Sequence, residues 1–151
     1  MADLHIEDFF KDAAKILNQL YLNFPKKSSV FVEDISGADA PDEYGLHAPR
    51  HQACFGCMLW LEEEGYLRFE STIRQDAIDQ AVLTQKSFSL LSRVCSDPKI
   101  IELSKPSDEL VDKTPFDLQT NINLVRKIQH KGTSTQLAEA MQRLLFGSAA
   151  P

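Results

Sequence analysis

The chain lacks any stretch approaching the roughly 18 consecutive apolar residues that a membrane-spanning helix requires, so no membrane partner is expected. Its opening, "MADLHIEDFFKD", is acidic and amphipathic and lacks the basic-then-apolar layout of a secretory leader. Cysteine is sparse: three in 151 residues, an odd number that suits a reducing compartment better than a disulfide framework. A cytoplasmic protein is the expectation. Also missing are GxGxxG and Walker loops, HExxH and GxSxG. With those absent, neither an enzyme nor a bound cofactor is expected.

Positive charge is short as well. Sixteen Lys and Arg face 22 Asp and Glu, a net charge of −6. The imbalance is uneven: up to Asp112 there are 11 basic against 20 acidic residues, and from Lys113 onward 5 against 2. An acidic body disfavours nucleic acid as a partner, because neutralising phosphates supplies most non-specific affinity. What the chain does have is 43% hydrophobic and 25% charged residues, the composition of a globular protein with a real core.

Apolar residues at Ile6, Phe9, Phe10, Ala13, Ile16, Leu17, Leu20 and Phe24 follow the period of an amphipathic helix from Asp3, which can cap it, to Phe24 before Pro25. "SSVFVEDIS" reads as a short strand and one helical turn, and "GADAPDEYGLHAP" as a loop. Pro49 suits the first turn of a second long helix and Gly65 its left-handed exit, with Ala53 to Leu61 apolar nearly all round. "YLRFEST", "IRQDA" and "IDQAVLT" then predict strand, turn and strand, and Thr84 caps a helix from Gln85 to Cys95. Three prolines within "SDPKIIELSKPSDELVDKTP" predict an irregular linker over 96–114. A helical pair over 115–147 follows: one helix starts at Thr114-Pro115 and ends before Gly132, the other starts near Thr133 in a capping box and stops at Gly147.

Two short stretches carry a resemblance. "LWLEEEGYLRF" resembles the LxxLExxGYI junction of bacterial winged-helix regulators, where the recognition helix turns into the first wing strand. "VLTQKSFSLL" is similar to their LTxKGxxxL exit from the wing, with Ser87 in place of the usual glycine. The likeness spans about residues 3–95 and implies a mostly α protein with a small β-hairpin (α+β): a winged helix-turn-helix domain over 1–95 followed by a helical extension.

The resemblance implies a double-stranded DNA partner and a role as a transcriptional regulator or accessory factor. The matching positions are Arg50, His51 and Gln52 on the long helix and Arg68, Arg74 and Gln75 on the wing. Glu70, Asp76 and Asp79 share the wing, and Asp39, Asp42 and Glu43 precede the helix, where they would meet phosphate unless turned away. Winged helices also serve as protein-docking modules without DNA, and the fold does not choose between the two uses.

Cys54 and Cys57 form a CxxC, but inside a helix rather than at the start of one, so they read as core residues. The metal alternative joins them to His51, with Cys95 or His130 to complete the set. Phe116, Leu118, Ile122, Val125 and Ile128 in one C-terminal helix, and Leu137, Met141, Leu144 and Leu145 in the other, need cover. A homodimer through these helices is the expected source.

Overall fold

A computed structural model describes residues 4–105 and 119–147. Its helices and one small antiparallel sheet make an α+β protein. The chain divides into two compact units between Phe88 and Ser89.

The first unit begins with α1 (Leu4–Asn23), whose Phe10, Ala13, Ala14, Ile16, Leu17 and Leu20 are buried. This is the stripe its periodicity predicts, with one unexpected member, Asp12, also buried. Next come β1 (Ser28–Phe31), α2 (Val32–Ser36) and α3 (Pro49–Glu63). Pro49 lies in the first turn of α3, as expected. At the far end the Gly65 amide donates to the Glu62 carbonyl and the Tyr66 amide to that of Leu61, the paired bonds of a Schellman exit. Gly65 has φ +82°, a conformation that costs any residue with a Cβ.

Strands β2 (Leu67–Arg68), β3 (Ser71–Ile73) and β4 (Ala77–Leu83) follow. Central β4 pairs with β1 on one side and with β2 and β3 on the other. Leu67 lies opposite Leu83, and Ile73 opposite Ala77, so β2 and β3 are two pieces of one hairpin arm. The turn back through Arg74, Gln75 and Asp76 is the predicted one. Against β1, β4 places two residues, Asp79 and Gln80, opposite the single Ser29, a bulge in which Gln80 has φ +55°.

The start of α4 (Gln85–Ser92) clamps the α3–β2 junction. Thr84 Oγ1 donates to the Gly65 carbonyl at 2.7 Å and Lys86 Nζ to that of Glu64 at 3.1 Å. The hydroxyl of fully buried Ser87 donates to the Tyr66 carbonyl. A glycine at 87 would lose this bond.

In the second unit, α5 (Pro98–Ser104) stands where an irregular linker was expected. Asp97 caps it by accepting from the Lys99 amide at 2.9 Å, and Pro98 occupies the first turn, where a proline favours a helix. The remaining linker to 114 and the expected start at Thr114-Pro115 lie outside the described residues, apart from Lys105. The helix of that region that is described, α6 (Asn121–Lys131), is capped by Thr120. The predicted Thr133–Gln136 capping box opens α7 (Ser134–Phe146).

Helices α5, α6 and α7 pack on one another. Ile122, Val125, Ile128, Leu137, Met141, Leu144 and Leu145 are all buried within the single chain. Covering these seven residues therefore needs no second chain, so their burial gives a homodimer no support; Phe116 and Leu118 lie outside the described residues. Asp97 holds the unit together from its cap: Arg143 Nε and Nη2 donate to its two carboxylate oxygens at 2.9 and 3.0 Å.

Candidate functional site

The first turn of α3 carries three of the residues proposed to touch DNA, and two are directed inward. Arg50 Nη1 and Nη2 donate to Asp12 Oδ2 and Oδ1 at 2.7 and 2.6 Å, and its Nε lies 3.5 Å from Asp8. The Asp12 side chain is 1% exposed, so this is a forked ion pair joining α3 to α1 across its buried face. Hydrogen bonding to Asp12 raises the Arg50 pKa, and the guanidinium stays charged.

His51 is 3% exposed. Its Nε2 donates to the Gln75 carbonyl at 2.8 Å, pinning the turn of the hairpin to α3. Gln52 is exposed, and its amide donates to the His47 carbonyl at 2.8 Å. Arg68, Arg74 and Gln75 are exposed on the hairpin. Arg50 and His51 are thus taken up by internal contacts, and His51 meets the hairpin through the Gln75 backbone carbonyl.

What gathers around His51 is a different set. Its ring stacks on that of His47, with centroids 3.8 Å apart and planes 7° from parallel. At one edge of the stack lies Asp39, whose Oδ2 is 2.7 Å from His47 Nδ1 and 3.6 Å from His51 Nδ1. At the other edge Asp76 Oδ1 stands 3.2 Å from His47 Nε2 and 3.8 Å from His51 Nε2. The other oxygen of Asp39 accepts from the Ala48 amide at 3.2 Å, at the N-cap of α3. The hydrogen bond from His47 is the main influence holding the Asp39 carboxyl below its usual range.

The Asp39 side chain is 7% exposed, so this loop acid is indeed turned away from any phosphate. Asp42 is turned to local use, accepting from the Tyr44 and Leu46 amides at 2.9 Å each. A cleft of about 640 Å³ opens beside the histidine stack, lined among others by Asp39, His47, Arg74 and Asp76.

Cys54 and Cys57 are buried and free, and take no part in this cluster. Burial pushes the Cys54 thiol up to about 12 and that of Cys57 up as well, so both stay protonated and poorly nucleophilic. The Cys57 thiol faces the Phe9 carbonyl at 3.7 Å. The metal alternative thus keeps His51 but exchanges its sulfur partners for Asp39 and His47. A sequence signal for that exchange exists: His47 and His51 are four residues apart, an HxxxH spacing straddling the loop and the helix start.

No family model matches the sequence, and no curated protein and no solved structure matches it either. Among the described residues, no helix is long and apolar enough to cross a membrane.

Proposed function

We propose that the first compact unit is a winged helix-turn-helix domain that docks a protein partner through α3 and has no enzymatic role. The order of helices and strands, and β4 standing between β1 and the β2–β3 arm, support the winged-helix reading. One observation carries the choice of partner. Arg50 is the only Lys or Arg between Lys27 and Arg68, and Asp12 and Asp8 hold it.

The exposed positions of α3 are Pro49, Gln52, Ala53, Gly56, Glu62 and Glu63, beside half-buried Phe55 and Leu59. That face offers no cation to a phosphate, and its small and apolar residues suit close packing against another polypeptide. Duplex DNA would need several phosphates neutralised before any base was read.

DNA binding is the second reading, and exposed Arg68 and Arg74 on the hairpin favour it. Titrating a labelled random duplex with the full chain at low and at physiological salt separates the two. The docking reading expects no saturable binding at either. Binding that weakens steeply with salt and falls in the Arg68→Ala, Arg74→Ala variant would establish the DNA reading instead.

A further inference from the structure

We propose that Asp39, His47 and His51 form a binding site for one divalent transition-metal ion of the zinc class. This stands independently of whether α3 docks protein or DNA. The ligand-bearing atoms of the three residues all lie within 4.8 Å of one another. Two imidazole nitrogens and a carboxylate oxygen are a borderline donor set, which suits Zn²⁺ and its neighbours rather than Mg²⁺ or Ca²⁺.

The argument rests on the hydrogen-bonding roles of the two rings. The Gln75 carbonyl can only accept, so the His51 nitrogen 2.8 Å away must be its N–H. In the neutral ring the proton is then on Nε2 and the lone pair on Nδ1. That Nδ1 is buried, makes no hydrogen bond, and points at Asp39 Oδ2 from 3.6 Å. A lone pair facing an ionised carboxylate is two acceptors with nothing between them, an arrangement that invites a cation.

His47 repeats the problem. Both its nitrogens face carboxylates, Asp39 at 2.7 Å and Asp76 at 3.2 Å, and a neutral ring can donate to only one. If Asp76 takes the Nε2–H, the ion replaces the proton that His47 Nδ1 shares with Asp39, and both Nδ1 lone pairs and one Asp39 oxygen then lie along the same edge of the stack.

Around zinc, ligand atoms about 2.0–2.1 Å from the ion stand roughly 3.3 Å apart at tetrahedral angles. The observed 2.7 and 3.6 Å bracket that spacing. Because the two rings lie 7° from parallel, admitting the ion requires His47, on its loop, to tilt so that its lone pair and that of the pinned His51 reach one point.

The surroundings supply what such a site needs. Gln75 and Asp76 occupy the far ring nitrogens, where outer partners fix tautomer and orientation. A dication with two neutral histidines, Asp39 and Asp76 has zero formal charge. The cleft lined by Asp39, His47 and Asp76 provides an entry path and room for water or an exogenous ligand to complete the coordination. The site would tie three segments together: the loop carrying Asp39, the start of α3, and the hairpin turn. Binding would therefore stabilise the first unit.

The test is titration of the chelator-treated full chain with Zn²⁺ by calorimetry, with Co²⁺ absorption as a reporter of coordination. One equivalent should bind and raise the melting temperature. Binding should weaken tenfold or more in His47→Ala and in Asp39→Asn, and about tenfold in Asp76→Asn through the outer shell. Cys57→Ser and His130→Ala should bind like the native chain. If a ligand variant misfolds by circular dichroism, His47→Gln keeps the side chain's bulk and is read in its place. Absence of one-equivalent binding by the native chain would overturn the proposal. So would unchanged affinity in folded His47 variants, or loss of binding in Cys57→Ser.

Discussion

The first turn of α3 and the turn of the hairpin each carry an arginine and a glutamine, Arg50-His51-Gln52 in one and Arg74-Gln75 in the other, and the fold treats them differently. Arg50 and His51 are fastened inward, to Asp12 on α1 and to the Gln75 carbonyl. Arg74 and Gln75 keep their side chains exposed while Gln75 lends its backbone to the interior. The difference follows from what faces each turn. The start of α3 lies against α1, where a buried carboxylate demands a counter-charge. The hairpin has solvent on one side and needs none. A charged residue in a would-be recognition helix is therefore not evidence of a nucleic-acid contact until its partner is known.

That comparison is broken most directly at Arg50. Arg50→Ala should lower the unfolding free energy by about 3 kcal/mol, because it leaves the Asp12 carboxylate buried without its partner. The low end of the usual range applies because 35% of the Arg50 side chain remains in water. Denaturant titration measures it. The paired replacement Asp12→Leu, Arg50→Met should recover most of the loss, since removing both charges also removes their desolvation cost. If Arg50→Ala alone is neutral, the ion pair is not structural and Arg50 returns to the list of ligand contacts.

A second Arg–Asp fork, Arg143 with Asp97, sharpens the comparison because its carboxylate is more exposed: the Asp97 side chain is 18% accessible against 1% for Asp12. The hydrogen bonds from Arg143 are the main influence holding the Asp97 carboxyl below its usual range. A carboxyl whose folded pKa is depressed contributes stability above its unfolded pKa, about 3.9, and loses it as pH falls through the folded value. Arg143→Leu should thus destabilise the chain at neutral pH, by less than Arg50→Ala does. The gap between variant and native should narrow as pH drops from about 5 to below the native Asp97 pKa. A pH-independent gap in thermal melts would mean that Arg143 acts by packing alone.

Much of this architecture is legible in the sequence because it rests on local rules. The apolar period of α1, Pro49 and Gly65 bracketing α3, and the Thr133–Gln136 box opening α7 each act within a turn or two of chain. α5 was hidden by its neighbours: the Asp97-Pro98 cap is a good helix start, but nearby prolines weigh toward loop. The site was hidden for another reason. Composition shows that 37–49 is polar and irregular, yet whether Asp39 points to water or to His47 depends on where α3 and the hairpin turn lie in space. The partner of Arg50 is 38 residues away. No short-range pattern in the chain announces such a pair; His47 and His51 at HxxxH spacing are a local signal of the site, one the cysteine-centred metal alternative passed over.

The smallest effect should come from the exposed side of the comparison. Arg68→Ala and Arg74→Ala, singly or together, should change unfolding free energy by no more than about 0.5 kcal/mol, the range of surface substitutions with no buried partner. Neither has its guanidinium in a fork like those of Arg50 and Arg143, and both are exposed. Arg74 adds a backbone check, because its φ is +52°, in the left-handed region that glycine enters without a Cβ penalty. Arg74→Gly should therefore be at least as stable as Arg74→Ala despite glycine's greater freedom when unfolded. Denaturant midpoints for the two variants, compared with the native chain, decide it. A loss at Arg74→Ala matching that at Arg50→Ala would show that the hairpin turn is held from its side chain, and the two regions would no longer differ in kind.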